Sequence, residues 1–383
     1  MIDTERLRAL GTLPPQARRE FVESLALDDR RRLQEALHQA IAAQDPLAGH
    51  DWRAWNNEIV PEASEPAEHH IAFWEWLDTV EVDTKPRPYL ALWPRGHAKS
   101  RCAEVAVVKL GCRQLRTYCL YVSHTQDQAD DHVANVAAIL TSSRIERTYP
   151  AMAEVAVSKF GASKGWRRNR LRTAAGFTVD ALGLDSSRRG ARLEEHRPDI
   201  LILDDVDDTH ASSQVVDKNI RTISQALLPA ILPHAVVIMA QNIVSPSGIA
   251  AQIAERRTDM LSGAIRSGPF PAVVDMVTAR RPVEQPDGTI EDEWLITSGQ
   301  STWPDRADLE WCTDQLNLMG LDAFTIEVQQ DISERPGAIW AKTDIRRCSE
   351  ADVPELERVI VAVDPNDLEV EQQAEPVRKV MMR

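Results

Sequence analysis

From Pro88 onward, short runs that are apolar almost throughout alternate with longer stretches that carry apolar residues at helical spacing. The runs are PYLALW (88–93), TYCLYVS (117–123), DILILDD (199–205) and HAVVIMAQN (234–242). A strand with one wet face alternates apolar and polar residues, so a strand that is apolar throughout has both faces covered. AKSRCAEVAVVKLGC (98–112), TQDQADDHVANVAAIL (125–140) with Thr125 as N-cap, and a stretch near 212–228 read as covering helices. The alternation predicts an α/β fold whose mainly parallel sheet is covered by helices on both faces. RLRTAAGFTVDAL (170–182) alternates about Ala-Gly and predicts a hairpin.

The flanks are less regular. Residues 1–45 read as an N-terminal helical segment, broken by Pro14 and Pro15, that caps the domain. Residues 46–87 read as irregular with one helix near 69–80, and 268–304 as loop with short strands. Helices are expected at 307–319 and 321–330. The main domain then spans 46–341, a polar linker 342–357, and VIVAVDPN (359–366) opens a further unit over 358–383.

Acidic residues outnumber basic ones by 59 to 44, a formal net charge of −15. That balance excludes a general polyanion-binding coat but not a local basic patch. SKGWRRNRLR (163–172) and SSRRGAR (186–192) are such patches. Arg167, Arg168 and Arg170 are the candidates for nucleic-acid phosphate contacts; the alternative is a solvated face that balances nearby acid. The five cysteines, at 102, 112, 119, 312 and 348, include no CxxC pair, so neither a disulfide framework nor a zinc site is expected. Their use fits a reducing, cytosolic compartment. No run approaches the ~20 apolar residues of a membrane span, and the charged N-terminus carries no secretion signal.

LWPRGHAKSR (92–101) lies between a strand and a helix. A loop that grips phosphate needs converging backbone N–H groups, a lysine, and a hydroxyl for magnesium. Pro94, Arg95, Gly96, His97, Ala98, Lys99 and Ser100 supply that pattern, with Trp93 and Ala98 in place of the usual two glycines. Gly96 permits an unusual backbone angle, and Ala98 is small enough to open the helix. DILILDDVDD (199–208) is an apolar strand ending in paired carboxylates. Asp204 is placed to hold Mg2+ and Asp205 to orient the attacking water in phosphoryl transfer from ATP; an Asp-rich turn is the alternative. VVIMAQNIV (236–244) ends in Gln241 and Asn242, amides that either sense a γ-phosphate or satisfy local backbone. Arg95 either stabilises charge on the transferred phosphoryl group, within or between subunits, or forms a surface ion pair. His97 has no legible partner.

Taken in order, these stretches resemble the large terminase subunit of tailed bacteriophages, the DNA-packaging motor. LALWPRGHAKS is similar to that family's divergent phosphate loop, and YCLYVSHTQDQADDHV to the strand and helix that follow. SSRRGARLEEHRPDILILDD, AVVIMAQNIVSPSG and FTIEVQQDISERPGAIW are similar to its later segments, and VIVAVDPN to the first strand of its ribonuclease-H-like nuclease. The resemblance covers about residues 50–366. It implies a P-loop (ASCE, RecA-like) ATPase that uses ATP and Mg2+ to drive double-stranded DNA into a procapsid. It also implies a homo-oligomeric ring on the portal protein, a small terminase subunit as partner, and work in the cytoplasm of the infected bacterial host outside the mature virion. Lys99 and Ser100 then grip phosphate and metal, Asp204 supports the metal, and Asp205 stands where the family more often has glutamate. Arg95 matches the loop arginine and Asn242 the coupling residue.

Asp364 is the only nuclease carboxylate with a legible strand, and a two-metal site needs several. Nuclease activity is therefore not expected. The alternatives are a helicase-like ATPase, disfavoured because no second strand–helix series follows residue 270, and a non-catalytic prophage remnant that binds DNA or portal.

Overall fold

The computed structural model describes residues 45–62, 64–82, 84–157, 166–185, 197–209, 211–284 and 289–332. The N-terminal segment before Asp45, the 186–192 patch, the 342–357 linker and the strand carrying Asp364 lie outside the described residues.

Seven strands form one sheet: β1 (Tyr89–Ala91), β2 (Tyr118–Ser123), β3 (Arg170–Arg172), β4 (Thr178–Gly183), β5 (Ile200–Asp204), β6 (Val236–Ala240) and β7 (Ile265–Ser267). Their order is β3-β4-β2-β5-β6-β1-β7. Every pairing is parallel except β3 with β4, the predicted hairpin. Alternate residues of each strand point to opposite faces, and here both faces are core. Tyr89, Cys119, Tyr121, Ile200, Ile202 and Ile238 join one buried cluster, and Leu90, Leu120, Val122, Leu201, Leu203 and Met239 the other.

The first face is covered by α1 (Trp52–Ile59), α2 (Glu68–Asp78), α3 (Lys99–Cys112) and α4 (Gln126–Leu140). Short helices α5 (Ser143–Thr148) and α6 (Pro150–Ala153) follow α4. The second face is covered by α7 (Ser213–Thr222), its π-helical continuation Ile223–Leu227 with α8 (Leu228–Ala230), and α9 (Ile249–Ala254). Thr125 caps α4 in a reciprocal pair with Gln128. Among the described residues no helix is long and apolar enough to cross a membrane. Cys102, Cys112, Cys119 and Cys312 are buried free thiols.

Two readings of the flanks are corrected. Residues 46–87 contain α1 as well as α2. Asp51 caps α1 by accepting the Ala54 N–H, and Trp52, Trp55 and Ile59 bury one stripe. The helix is only 8 residues long, too short for its periodicity to stand out. Residues 268–304 are no loop: β8 (Val273–Glu284) and β9 (Ile290–Ser301) form a long antiparallel hairpin. Most of it is exposed on both faces, so no apolar alternation marks it. A small core of Val273, Ile296, Cys312, Leu316 and Phe324 joins it to α10 (Leu309–Glu327), which breaks at Gly320, where φ is 79°.

Asp199 ties down the amino ends of the central strands. Its carboxylate accepts the Thr117 N–H at 2.8 Å, the Thr117 hydroxyl at 3.0 Å and the Tyr118 N–H at 2.7 Å. D199A removes the acceptor of the buried Tyr118 N–H and of the more exposed Thr117 donors, and its expected cost is about 1–3 kcal/mol in urea unfolding with an unchanged m value. Because Asp199 lies at the opposite end of β5 from Asp204, nucleotide binding in D199A is expected to match wild type under folding conditions.

Candidate functional site at the carboxyl ends of the strands

β1, β5 and β6 run parallel, so their carboxyl ends share one edge of the sheet. In open α/β sheets ligands bind at that edge. β6 lies between β1 and β5. The loop after β1, the acids after β5 and the amides after β6 are therefore neighbours although far apart in sequence.

The loop is an unusual turn. Gly96 has φ 85° and Ala98 φ 54°, and α3 starts at Lys99 with no side-chain cap. The N–H groups of its first turn are thus left for an anion. A cleft of about 610 Å3 opens there, lined by Pro61, Glu62, Gly96, Ala98, Lys99, Ser100, Arg101 and Arg306. Trp93 is fully buried and donates its indole N–H to Ser267 Oγ at 2.9 Å. His97 is an anchor: its Nε2 lies 3.2 Å from Thr302 Oγ1, and its carbonyl 3.0 Å from His70 Nε2.

Lys99 Nζ lies 3.5 Å from Asp205 Oδ1. The Ser100 hydroxyl donates to Asp204 Oδ1 at 2.9 Å. Asp204 is fully buried, and its Oδ2 accepts the Tyr121 hydroxyl at 2.6 Å. His132 Nε2 stands 3.5 Å from the same oxygen. Burial pushes Asp204 up to about 6, against the opposing charge of His132. Burial acts to lower His132, but its hydrogen bond to Glu104 and the nearby carboxylates outweigh it and leave its pKa raised. Asp205 turns into the left-handed region, φ 45°, and its Oδ1 makes no hydrogen bond among the described residues. Such strain in a non-glycine residue is concentrated at functional sites. Asp207 is a structural cap: its two oxygens accept the Ile249 and Ala250 N–H groups at 2.6 and 2.8 Å.

Asn242 and Arg95 meet at a residue that carried no sequence signal. Glu327, the last residue of α10, accepts Asn242 Nδ2 at 2.9 Å and faces Arg95 Nη1 at 3.4 Å. Its backbone carbonyl takes the Arg95 N–H at 3.0 Å. Gln241 is used locally: it accepts the Asp207 N–H at 3.2 Å and donates to the Asn242 carbonyl at 3.1 Å. Tyr121, His132, Glu104 and Glu327 were all missed, since only the third dimension sets them beside the motifs.

The basic patch is largely committed to acid. Arg170 makes a two-pronged contact with Asp180 at 2.5 and 2.7 Å, and Arg168 pairs with Asp127 at 2.9 Å and Asp130 at 3.4 Å. Arg167 is exposed beside them.

No protein-family model matches the chain, and no curated protein matches it. Among solved structures it is similar to one described as "The Phi-28 gp11 DNA packaging Motor", with 12% identity, a TM-score of 0.28, and coverage of 57% of this chain and 78% of that one.

Two predictions concern the loop. A Cβ on Gly96 would meet Trp311 Cη2 at 2.8 Å in a backbone conformation that disfavours side chains. G96A is expected to lose more than about 1 kcal/mol of stability, with W311A restoring the steric part in the double variant. The histidines behind the loop are the second. Burial lowers His69 to about 2 and both His70 and His97 to about 4, helped by neighbouring histidines at His69 and His97 and by Arg306 at His70. The unfolded chain takes up these protons near pH 6.5 and the folded chain does not until about 4 or below. Stability is therefore full above pH 6.5 and falls as pH drops toward 4, by about 1 kcal/mol per pH unit for each histidine. Urea unfolding across that range checks the slope, which H97Q should make shallower.

Proposed function

We propose that this chain is a magnesium-dependent P-loop ATPase of the ASCE type, serving as the motor subunit of a phage DNA-packaging terminase. The observation that carries the ATPase reading is the convergence of a lysine, a hydroxyl and two carboxylates at the ends of β1 and β5, with β6 inserted between them. The ordered sequence resemblance supports the packaging role.

The donor set suits a hard cation. Ser100 Oγ and Asp204 Oδ1 lie together. Among the described residues no three His, Cys, Asp or Glu side chains gather with metal-holding geometry; Mg2+ held by Ser100 and Asp204 would draw on waters and phosphate oxygens, its usual habit. The metal, when bound, offsets charge developing on the phosphate oxygens.

The chain's own residues supply the rest. The uncapped turn of α3 presents N–H groups to the phosphates. Lys99, now paired with Asp205, turns to the phosphates when nucleotide enters. That exchange frees Asp205 to orient the attacking water and take its proton. Arg95, with a side chain 66% exposed, exchanges its Glu327 contact for the phosphoryl group of its own subunit or a neighbour's. Asn242 links this site through Glu327 to α10 and the β8–β9 hairpin. Portal protein, small terminase subunit and double-stranded DNA are the partners of this reading, with a homo-oligomeric ring as the working form.

Purified protein is expected to hydrolyse ATP only with Mg2+, faster with double-stranded DNA or portal. K99A should abolish turnover, and D205N should slow it by about 10²–10⁴-fold. Unaltered turnover in K99A contradicts the ATPase reading; absence of Mg2+-dependent nucleotide binding by wild type favours a non-catalytic remnant.

A further inference from the structure

Asp204 is held by more than the metal chemistry needs. Its Oδ1 takes the Ser100 hydroxyl, while its Oδ2 takes the Tyr121 hydroxyl and faces His132 Nε2. His132 Nδ1 lies 2.8 Å from Glu104 Oε1, and Asn135 Nδ2 donates to that same oxygen at 2.8 Å. The Tyr121 and His132 rings stack at 4.9 Å and 21°. Glu104 lies on α3, one turn beyond Ser100. The contacts therefore close on themselves: Ser100 to Asp204, Asp204 to His132, His132 to Glu104, and along α3 back to Ser100. Glu104, Tyr121 and Asp204 are all buried.

A purely structural account is weak here. Buried charged groups stabilise a fold less well than apolar side chains of the same volume. What the network does fix is orientation. Two groups are committed to one oxygen of Asp204, and the other oxygen is left beside the Ser100 hydroxyl.

We propose that Tyr121 and His132 are positioning residues for the magnesium site. They hold Oδ2 of Asp204 so that Oδ1 is the oxygen offered to the metal shell. Through Glu104 they also lock α3 to β5, so that the serine and the aspartate keep their separation. The inference rests on the ATPase reading above. Outer partners of metal ligands commonly change metal affinity by about 10–100-fold when removed.

The test is equilibrium binding of a fluorescent ATP analogue titrated with Mg2+, alongside binding in EDTA. In Y121F, which keeps the ring and its stack, the half-saturating Mg2+ concentration is expected to rise about tenfold, with metal-free nucleotide affinity within about twofold of wild type. H132A and E104A should shift the magnesium midpoint in the same direction. E104Q, which keeps an acceptor for His132, should stay near wild type. An unchanged midpoint in Y121F and H132A overturns the proposal. So does a parallel fall of affinity with and without Mg2+, which marks a role in folding alone. Should wild type show no Mg2+-dependent binding, the ATPase reading itself fails; wild-type binding with unaltered variants removes only the positioning role.

Discussion

Burial of both faces of the central parallel sheet is the constraint on which everything else depends. Residues on β1, β2, β5 and β6 alternate between two cores, so polar groups have almost no place along these strands. A parallel arrangement then gathers all carboxyl ends on one edge. Polar chemistry is forced to that edge, and the insertion of β6 between β1 and β5 decides which groups meet there. A phosphate-type loop, two acids and two amides become neighbours without any of them being close in sequence.

The edge is electrostatically tense. Asp204 sits where a lone carboxylate would be costly, and burial raises its pKa. Ser100, Tyr121 and His132 offset that cost with a hydroxyl on each oxygen and an imidazole ring beside one of them. Asp205 answers a different demand. Its backbone is strained, its side chain 42% exposed, and its one described charge contact is with Lys99. One acid is held still and the next is more exposed, the division that the proposed roles in supporting a metal and handling water require.

Much of this was legible in the sequence where a physical signal was strong. Solidly apolar runs marked β1, β2, β5 and β6, Thr125 marked the start of α4, and Ala-Gly marked the β3–β4 turn. Lys99, Ser100, Asp204 and Asp205 stood out because strand ends and residue chemistry coincided. The β8–β9 hairpin did not stand out, because strands exposed on both faces need no apolar pattern. Glu104, His132 and Glu327 were illegible for another reason: a helix-borne polar residue looks the same in sequence whether it faces water or a buried carboxylate. The arginine run was visible, yet acids on α4 and β4 engage Arg168 and Arg170, contacts that only the fold reveals.

The central claim is that the lysine-bearing loop and the aspartate pair together clasp Mg-ATP. A crystal structure with Mg2+ and a non-hydrolysable ATP analogue tests it most directly. The account predicts metal density beside Ser100 Oγ and Asp204 Oδ1, phosphates over the first turn of α3, and the Lys99 amine moved from Asp205 onto the phosphates. Nucleotide bound away from this edge, or bound here with the Lys99–Asp205 pair intact and no metal at Ser100, would contradict it.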